Sequence, residues 1–418
     1  MEAEVEVRQF LRREIDERAQ LRLRFSPSFA VVGQALFGSI LEDRQISIHS
    51  LGEATSDDLE LVARTESAGV VRRDVAVDHD KTELMITRGQ ALLRHHGLGD
   101  LPMAVEIHED EKQAVYIHIS IPVEETGELQ ATADWLDRLR RDHGPIRGKT
   151  FALGPDGLSY LPASTVSDDE LILPDGIKDD LLRLFCFLEG STQLPPNLRH
   201  RSVLLSGPPG VGKTLTARWL SARFAVTTIW VTPGVLASVG PARVFKLAVD
   251  ASPALLILED LNGLQGPGDD PGVYGELLAQ LDGFHALTGV GVIATTNRPE
   301  TFGEALHPTH RPGRFHRVVE ISCPDEALRR EMFIKLGSAS AVLEPFDNLT
   351  LDRLVAQTGR QTGAQITELV RELESRTLWN LQNGRTTEPN AILDELTKEA
   401  DHGRAFGFES RGKSRGHG

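Results

Sequence analysis

The chain has 418 residues, 40% hydrophobic and 25% charged, which suits a globular protein of two or three domains and excludes a fibrous or largely disordered one. A formal net charge of −16 disfavours nonspecific binding to nucleic acid or anionic membrane, so the expected macromolecular partners are proteins, and nucleic acid is not expected. The two cysteines, Cys186 and Cys323, suggest neither a disulfide framework nor a cysteine metal site; no stretch approaches the ~18 apolar residues of a membrane span, and the acidic start Met1-Glu2-Ala3-Glu4 is unlike a signal peptide, which together point to a cytoplasmic protein.

Up to residue 160 the patterns predict a folded α/β unit that presents no catalytic chemistry. Phe10, Leu11 and Ile15 among charges predict an opening amphipathic helix. Adjacent His95 and His96 are poor ligand geometry and read as exposed loop residues. Val115, Ile117, Ile119 and Ile121 alternate with Tyr116, His118 and Ser120, marking a strand with one buried face and His118 on the outer one. Leu129, Ala133, Leu136 and Leu139 then recur at helical spacing, the helix ending near His143-Gly144. Gly144-Pro145-Ile146-Arg147-Gly148-Lys149-Thr150 ends like a phosphate loop, but only three residues separate its glycines and Phe151-Ala152-Leu153-Gly154-Pro155 cannot be the following helix. It reads as a turn entering a strand. The unit is expected to be either a substrate or adaptor platform or a structural collar.

Pro/Gly punctuation at Gly154-Pro155 and Pro162 sets a boundary near residue 160, followed by Leu171-Ile172-Leu173-Pro174 and a helix over 177–189. Arg201-Ser202-Val203-Leu204-Leu205 is a short apolar strand, and Gly207-Pro208-Pro209-Gly210-Val211-Gly212-Lys213-Thr214 meets the full P-loop spacing. A helix opens at Leu215. Strand, glycine turn and helix N-terminus make an anion cradle for a nucleoside triphosphate, with Lys213 on the β/γ oxygens and the Thr214 hydroxyl on Mg²⁺. Pro253-Ala254-Leu255-Leu256-Ile257-Leu258 suits a central parallel strand covered on both faces. It ends in Glu259-Asp260, where P-loop enzymes handle the metal and the attacking water. A second strand, Val290-Gly291-Val292-Ile293-Ala294, leads to Thr295-Thr296-Asn297 and puts an amide at the same sheet edge. From Pro324 the spacing turns helical through Leu328, Met332 and Leu336, then Leu351, Leu354 and Val355, then Ile366, Leu369, Val370 and Leu373. The Gly/Arg/Ser-rich end reads as a disordered tail.

In this order the motifs resemble the AAA family within the AAA+ ATPases, over roughly residues 165–395. The resemblance rests on 207–214, on 255–260, on Glu276-Leu277-Leu278-Ala279-Gln280-Leu281-Asp282-Gly283-Phe284, on Ala294-Thr295-Thr296-Asn297-Arg298-Pro299, on Arg311-Pro312-Gly313-Arg314-Phe315 and on Thr362-Gly363-Ala364-Gln365-Ile366. It implies an α/β P-loop NTPase module with a parallel sheet over 161–322 and a C-terminal helical lid over 323–402. A separate α/β N-terminal domain over 1–160 precedes the module, and the tail is 403–418.

The resemblance implies ATP and Mg²⁺ as cofactors. By matching position, Ile172 and Leu173 lie near the adenine; Gly207, Pro208, Pro209, Gly210, Val211, Gly212, Lys213, Thr214 and Leu215 hold the phosphates; Gly363 and Ala364 approach from the lid. Thr214 and Glu259 take the metal, Asp260 polarises the water, and Asn297 resembles the sensor that orients it. Arg311 and Arg314 resemble arginine fingers reaching a neighbour's nucleotide, which implies a homo-oligomeric ring, hexameric by resemblance. Such a ring hydrolyses ATP to remodel, disassemble or help assemble a protein client or adaptor. The alternative is a nucleotide-gated oligomeric scaffold with slow hydrolysis as its timer.

The departures from the family pattern are specific. Glu259-Asp260 reverses the usual Asp-Glu order, an arrangement shared with the mitochondrial AAA subfamily that assembles respiratory complex III; that subfamily carries a membrane anchor, which is not expected here. Ser238-Val239-Gly240 stands where many members place an aromatic pore grip, so non-threading remodelling is expected. His307-Pro308-Thr309-His310 lengthens the segment before Arg311 and reads as a surface loop, His316 replaces an acid, and Gly337 stands where members often have a histidine near the ribose. No His-Glu-x-x-His occurs, so a protease is not expected on this chain.

Overall fold

The structure is a computed structural model that describes residues 18–25, 30–54, 61–62, 70–111, 113–143, 146–154, 157–189, 200–264, 271–282, 288–298 and 315–401. The opening helix at Phe10 to Ile15, the His307 to His310 loop and the tail from Gly403 lie outside the described residues.

Among the described residues the N-terminal unit is an antiparallel sheet backed by two helices. Its strands are β1 (Arg18–Phe25), β2 (Ile46–Ala54), β3 (Leu61–Val62), β4 (Val71–Ala76), β5 (Thr82–His95), β6 (Leu101–Glu109) and β7 (Val115–Pro122). They run in the order β1-β7-β6-β5-β2-β3, with β4 paired to the first half of β5. The expected alternation in β7 holds only as far as Ile119: Val115, Ile117 and Ile119 are buried while Tyr116 and His118 are half-exposed, but Ser120, expected on the outer face, is buried as well. Helices α1 (Ala30–Glu42) and α2 (Leu129–His143) cover the apolar face, where Leu36, Phe37 and Ile40 meet Val105, Ile117, Ile119, Leu136 and Leu139. Apolar burial of this kind contributes roughly 1.5–3 kcal/mol per large side chain.

One expectation is corrected here. His95 is not an exposed loop residue: β5 runs on to include it, and its ring is buried, meeting Trp135 edge-on at 4.6 Å. Burial lowers its pKa below the ordinary histidine value. His96, by contrast, is exposed and pairs with Asp100 at 2.5 Å.

The second sheet has the order β14-β10-β13-β12-β11-β8-β9. Its strands are β8 (Thr150–Gly154), β9 (Gly157–Leu161), β10 (Arg201–Ser206), β11 (Thr227–Val231), β12 (Ala254–Leu258), β13 (Val290–Thr296) and β14 (Arg317–Glu320). All pair in parallel except the β8–β9 hairpin. The turn at Ile146 to Gly148 does enter a strand, and that strand joins this sheet. The second sheet thus begins at Thr150, ahead of the boundary at 160 read from the punctuation.

Helices α3 (Ile177–Phe185), α4 (Lys213–Phe224), α5 (Pro233–Val239), α6 (Pro241–Asp250) and α7 (Pro271–Asp282) accompany this sheet. Two apolar layers form, one with Val244, Phe245 and Leu277, the other with Phe185, Trp219 and Leu220. Because helices cover both faces, every residue of β12 and β13 is buried, which explains their continuous apolar runs. Four helices follow as the lid: α8 (Glu326–Ala339), α9 (Asn348–Gln357), α10 (Gly363–Gln382) and α11 (Pro389–Asp401). Their shared core includes Phe333, Leu354, Ile366, Leu369 and Leu393. Asp325 and Asp347 cap α8 and α9, and a reciprocal capping box of Thr362 and Gln365 starts α10. The chain is therefore α/β, a P-loop parallel sheet with a helical lid behind a separate α/β unit.

Candidate nucleotide site

β10 ends at Ser206 and α4 begins at Lys213, so the six residues between form a tight loop at the carboxyl edge of the sheet. Gly207 sits at φ +142, and a Cβ there would lie 2.0 Å from the Ile321 carbonyl oxygen; only glycine fits. Gly210 and Gly212 are also left-handed, at φ +83 and +102, turning the loop before the helix. Lys213 is 8% exposed, and its Nζ donates to the carbonyls of Gly207 at 2.8 Å and Pro208 at 2.7 Å. Burial lowers the Lys213 pKa, and the nearby Asp260 charge opposes that shift.

A cleft of about 1320 Å³ opens between this loop and the lid. Val211 to Leu215, Ile172, Glu259, Asp260 and Asn297 line it from the sheet side, and Met332, Gly363 and Ala364 from the lid. Hydrogen bonds span the cleft. The Ala364 N–H in the first turn of α10 donates to the Gly210 carbonyl at 3.0 Å, and Lys335 Nζ donates to the Asp169 carbonyl at 3.0 Å. A Cβ on Gly363 would come within 2.9 Å of Met332 Cε and 3.6 Å of the Gly210 carbonyl, so small residues permit this approach.

The acidic pair leaves β12 in a fixed geometry. Glu259 N–H donates to the Val231 carbonyl at 2.9 Å, the last rung with β11. Asp260 then adopts φ 49, and its N–H donates to Thr295 Oγ1 at 2.9 Å. Asn262, two residues on, donates its amide to Asp260 Oδ1 and accepts from three donors at the end of β13 and just beyond it. Those donors are the Thr296 hydroxyl at 2.5 Å and the Asn297 and Arg298 N–H groups, both at 3.2 Å. Sequence reasoning passed over Asn262; its only signal is a polar residue between the buried Leu261 and Leu264.

Most of the expected site residues converge on this cleft. Leu173 does not line it: the side chain is buried in the apolar layer with Phe185 and Leu220. Gly207 and Pro208 likewise meet Lys213 through their carbonyls and are not among its lining residues. Gly337 is buried against Phe346, whose ring a Cβ would meet at 2.8 Å, so it too turns away from the cleft. Arg311 and Arg314 lie outside the described residues. Ser238, at the exposed end of α5, donates to the Val235 carbonyl at 3.2 Å within its own helix.

The donor set fits a nucleotide and a hard cation. A buried ammonium and a glycine turn at a helix N-terminus suit phosphate. The Thr214 hydroxyl and the Glu259 and Asp260 carboxylates on one cleft offer the oxygen ligands that Mg²⁺ takes.

Fold and cleft together define a P-loop nucleotide-binding module closed by a helical lid. Within that class, residues 203–323 match the ATPase family associated with various cellular activities (AAA). The chain is 33% identical over 254 residues to the ATP-dependent zinc metalloprotease FtsH 3 of Sphaerobacter thermophilus, covering 56% of this chain and 49% of that protein. It is 34% identical over 190 residues to FtsH 3 of Conexibacter woesei, covering 41% and 25% respectively. With the ATP-dependent zinc metalloprotease FtsH of Clostridium perfringens it shares 29% over 270 residues, 61% of this chain and 36% of that protein. The matched region thus spans between a quarter and a half of these relatives. These matches support an AAA+ ATPase module. Among the described residues no helix is long and apolar enough to cross a membrane.

Proposed function

We propose that the protein binds ATP with Mg²⁺ in this cleft, hydrolyses it, and uses the cycle to remodel a protein client as a homo-oligomeric ring. The observation that carries this reading is the convergence of Lys213, Glu259, Asp260 and Asn297 on one lid-covered cleft. Lys213 would exchange its two carbonyl partners for β/γ-phosphate oxygens. Mg²⁺, when bound, would offset phosphate charge, with Thr214 and Glu259 as its protein ligands. Asp260 would take the proton of the attacking water as the new bond to the γ-phosphorus forms and the bond to the ADP oxygen breaks; the Asn297 amide would hold that water. The reversed Glu259-Asp260 order keeps a carboxylate in each role.

Arg311 and Arg314, as fingers from a neighbour, would contribute roughly 10³–10⁵ in rate, which makes turnover depend on assembly. The antiparallel N-terminal unit is the platform on which a client or adaptor would act. Proteolysis is not part of the reading, since no His-Glu-x-x-His occurs in the sequence.

The test is phosphate release by wild type and Asp260→Asn. Turnover in wild type, with ATP binding but no release in the variant, supports the reading, and the ATP-bound variant then serves to capture the client. Assembly on a non-hydrolysable analogue, with binding but no turnover in wild type, would replace it with the nucleotide-gated scaffold.

A further inference from the structure

Two loops meet at the carboxyl edge of the second sheet, and one side chain ties them. Asn262 faces both ways: its Nδ2 donates to the Asp260 carboxylate, while its Oδ1 takes the Thr296 hydroxyl at 2.5 Å and the Asn297 and Arg298 N–H groups at 3.2 Å each. Thr296 is fully buried and Asn297 is half-buried, so these donors lose much of their water and gain from a fixed acceptor. Thirty-four residues separate Asn262 from Thr296, so the contact is tertiary and fixes the spacing between the two loops.

We propose that Asn262 is a positioning residue that holds Asp260 and Asn297 as one rigid pair around the water site. The inference rests on the ATPase reading of that site. An amide is required because the two arms make opposite demands. The Asp260 arm needs a donor; the arm to residues 296–298 needs an acceptor. A carboxylate meets only the second and places a like charge against Asp260. A methyl group meets neither.

Substitutions therefore separate the arms. Asn262→Ala should speed hydrogen exchange of the Asn297 amide and lower kcat; the Arg298 N–H, which also donates to the Thr296 hydroxyl at 3.1 Å, is a weaker reporter. Asn262→Asp should leave that exchange near wild type yet still lower kcat by about tenfold or more, with KM for ATP within about threefold, since loss of aim at the water raises the barrier without touching the phosphate cradle. Asn262→Asp with wild-type kcat, or Asn262→Ala with unchanged exchange at Asn297, would overturn the proposal. Equal exchange and kcat losses in both variants, with a common fall in melting temperature, would also overturn it, because that is the pattern of a merely structural residue. If wild type turns over no ATP, the hydrolysis reading falls on that observation. The coupling is then decided by the exchange of the Asn297 amide in Asn262→Ala against Asn262→Asp: a rise in the first alone sustains it, and any other pattern ends it.

Discussion

Asp260 holds a left-handed backbone, φ 49, with its N–H on the Thr295 hydroxyl at 2.9 Å. A non-glycine residue there is strained by ~1–3 kcal/mol and persists only where its surroundings over-determine it. Thr295 is 4% exposed at the end of β13, so its hydroxyl is a fixed acceptor delivered by the adjacent parallel strand.

Thr295→Val keeps the shape and removes that acceptor. It removes a hydrogen bond worth about 1 kcal/mol and lets the strained turn relax. The expected outcome is a fall of about tenfold in kcat, with Thr295→Ser close to wild type. Steady-state ATPase assays of both variants check it, and equal rates in all three proteins would refute it.

The P-loop and the lid differ sharply in what a methyl group meets. On Gly207 a Cβ would meet the Ile321 carbonyl at 2.0 Å, at φ +142, and backbone cannot give way cheaply. Gly207→Ala should lose ~3 kcal/mol or more and abolish ATP binding. On Gly363 the nearest atom is the mobile Met332 Cε at 2.9 Å, so Gly363→Ala should stay within about 1 kcal/mol of wild type. Urea denaturation and nucleotide titration of the pair decide this, and similar losses in both would show that the lid packs tighter than the contact implies.

What the sequence made legible follows from where each element's contacts lie. The P-loop and β12 are read directly, because a glycine turn needs specific local residues and a doubly covered strand is apolar throughout. The N-terminal sheet is harder to read. Its β4 carries Arg72, Arg73 and Asp74 on exposed positions, and the long β5 runs from Thr82 through Gly89 to His95, so no local pattern marks His95 as a buried strand residue. Asn262 shows the limit most plainly: its partners Thr296, Asn297 and Arg298 are brought to it by the pairing of β12 with β13, which no local pattern announces.

His316 gives the P-loop module a distinctive acid response. Its Nδ1 accepts from the Ser202 N–H at 3.1 Å and lies 2.8 Å from the Ser202 hydroxyl, next to the ring of His200. Burial, with the charges of Arg201 and His200, pushes its pKa down to about 4. As pH falls through ~6.5 the unfolded chain takes up a proton that the folded chain refuses until near 4, so stability drops across that window. Between about pH 7.5 and 5 the loss attributable to His316 is ~2 kcal/mol. His316→Asn keeps an acceptor for Ser202 and lacks the titration, so its urea midpoint should fall less than wild type's over the same range. Parallel pH dependences in the two proteins would assign the acid response to other groups.

Ser238 bears on how the energy of ATP is used. It is exposed at the end of α5, its hydroxyl donating to the Val235 carbonyl of its own helix, and Gly240 at φ 88 turns the chain directly into α6. An aromatic side chain at 238 therefore displaces no packing, and Ser238→Tyr should change stability by less than about 0.5 kcal/mol. If clients are remodelled without being gripped in a central pore, the added ring has nothing to act on. Client-stimulated ATPase should then stay within about twofold of wild type, and a fluorescent fusion to the client should stay folded with either protein. Processive loss of that fluorescence with wild type would mean that threading occurs without an aromatic at this position. Loss of fluorescence with Ser238→Tyr alone would mean that the pore engages a chain once given a grip, and that Ser238 is what restrains it.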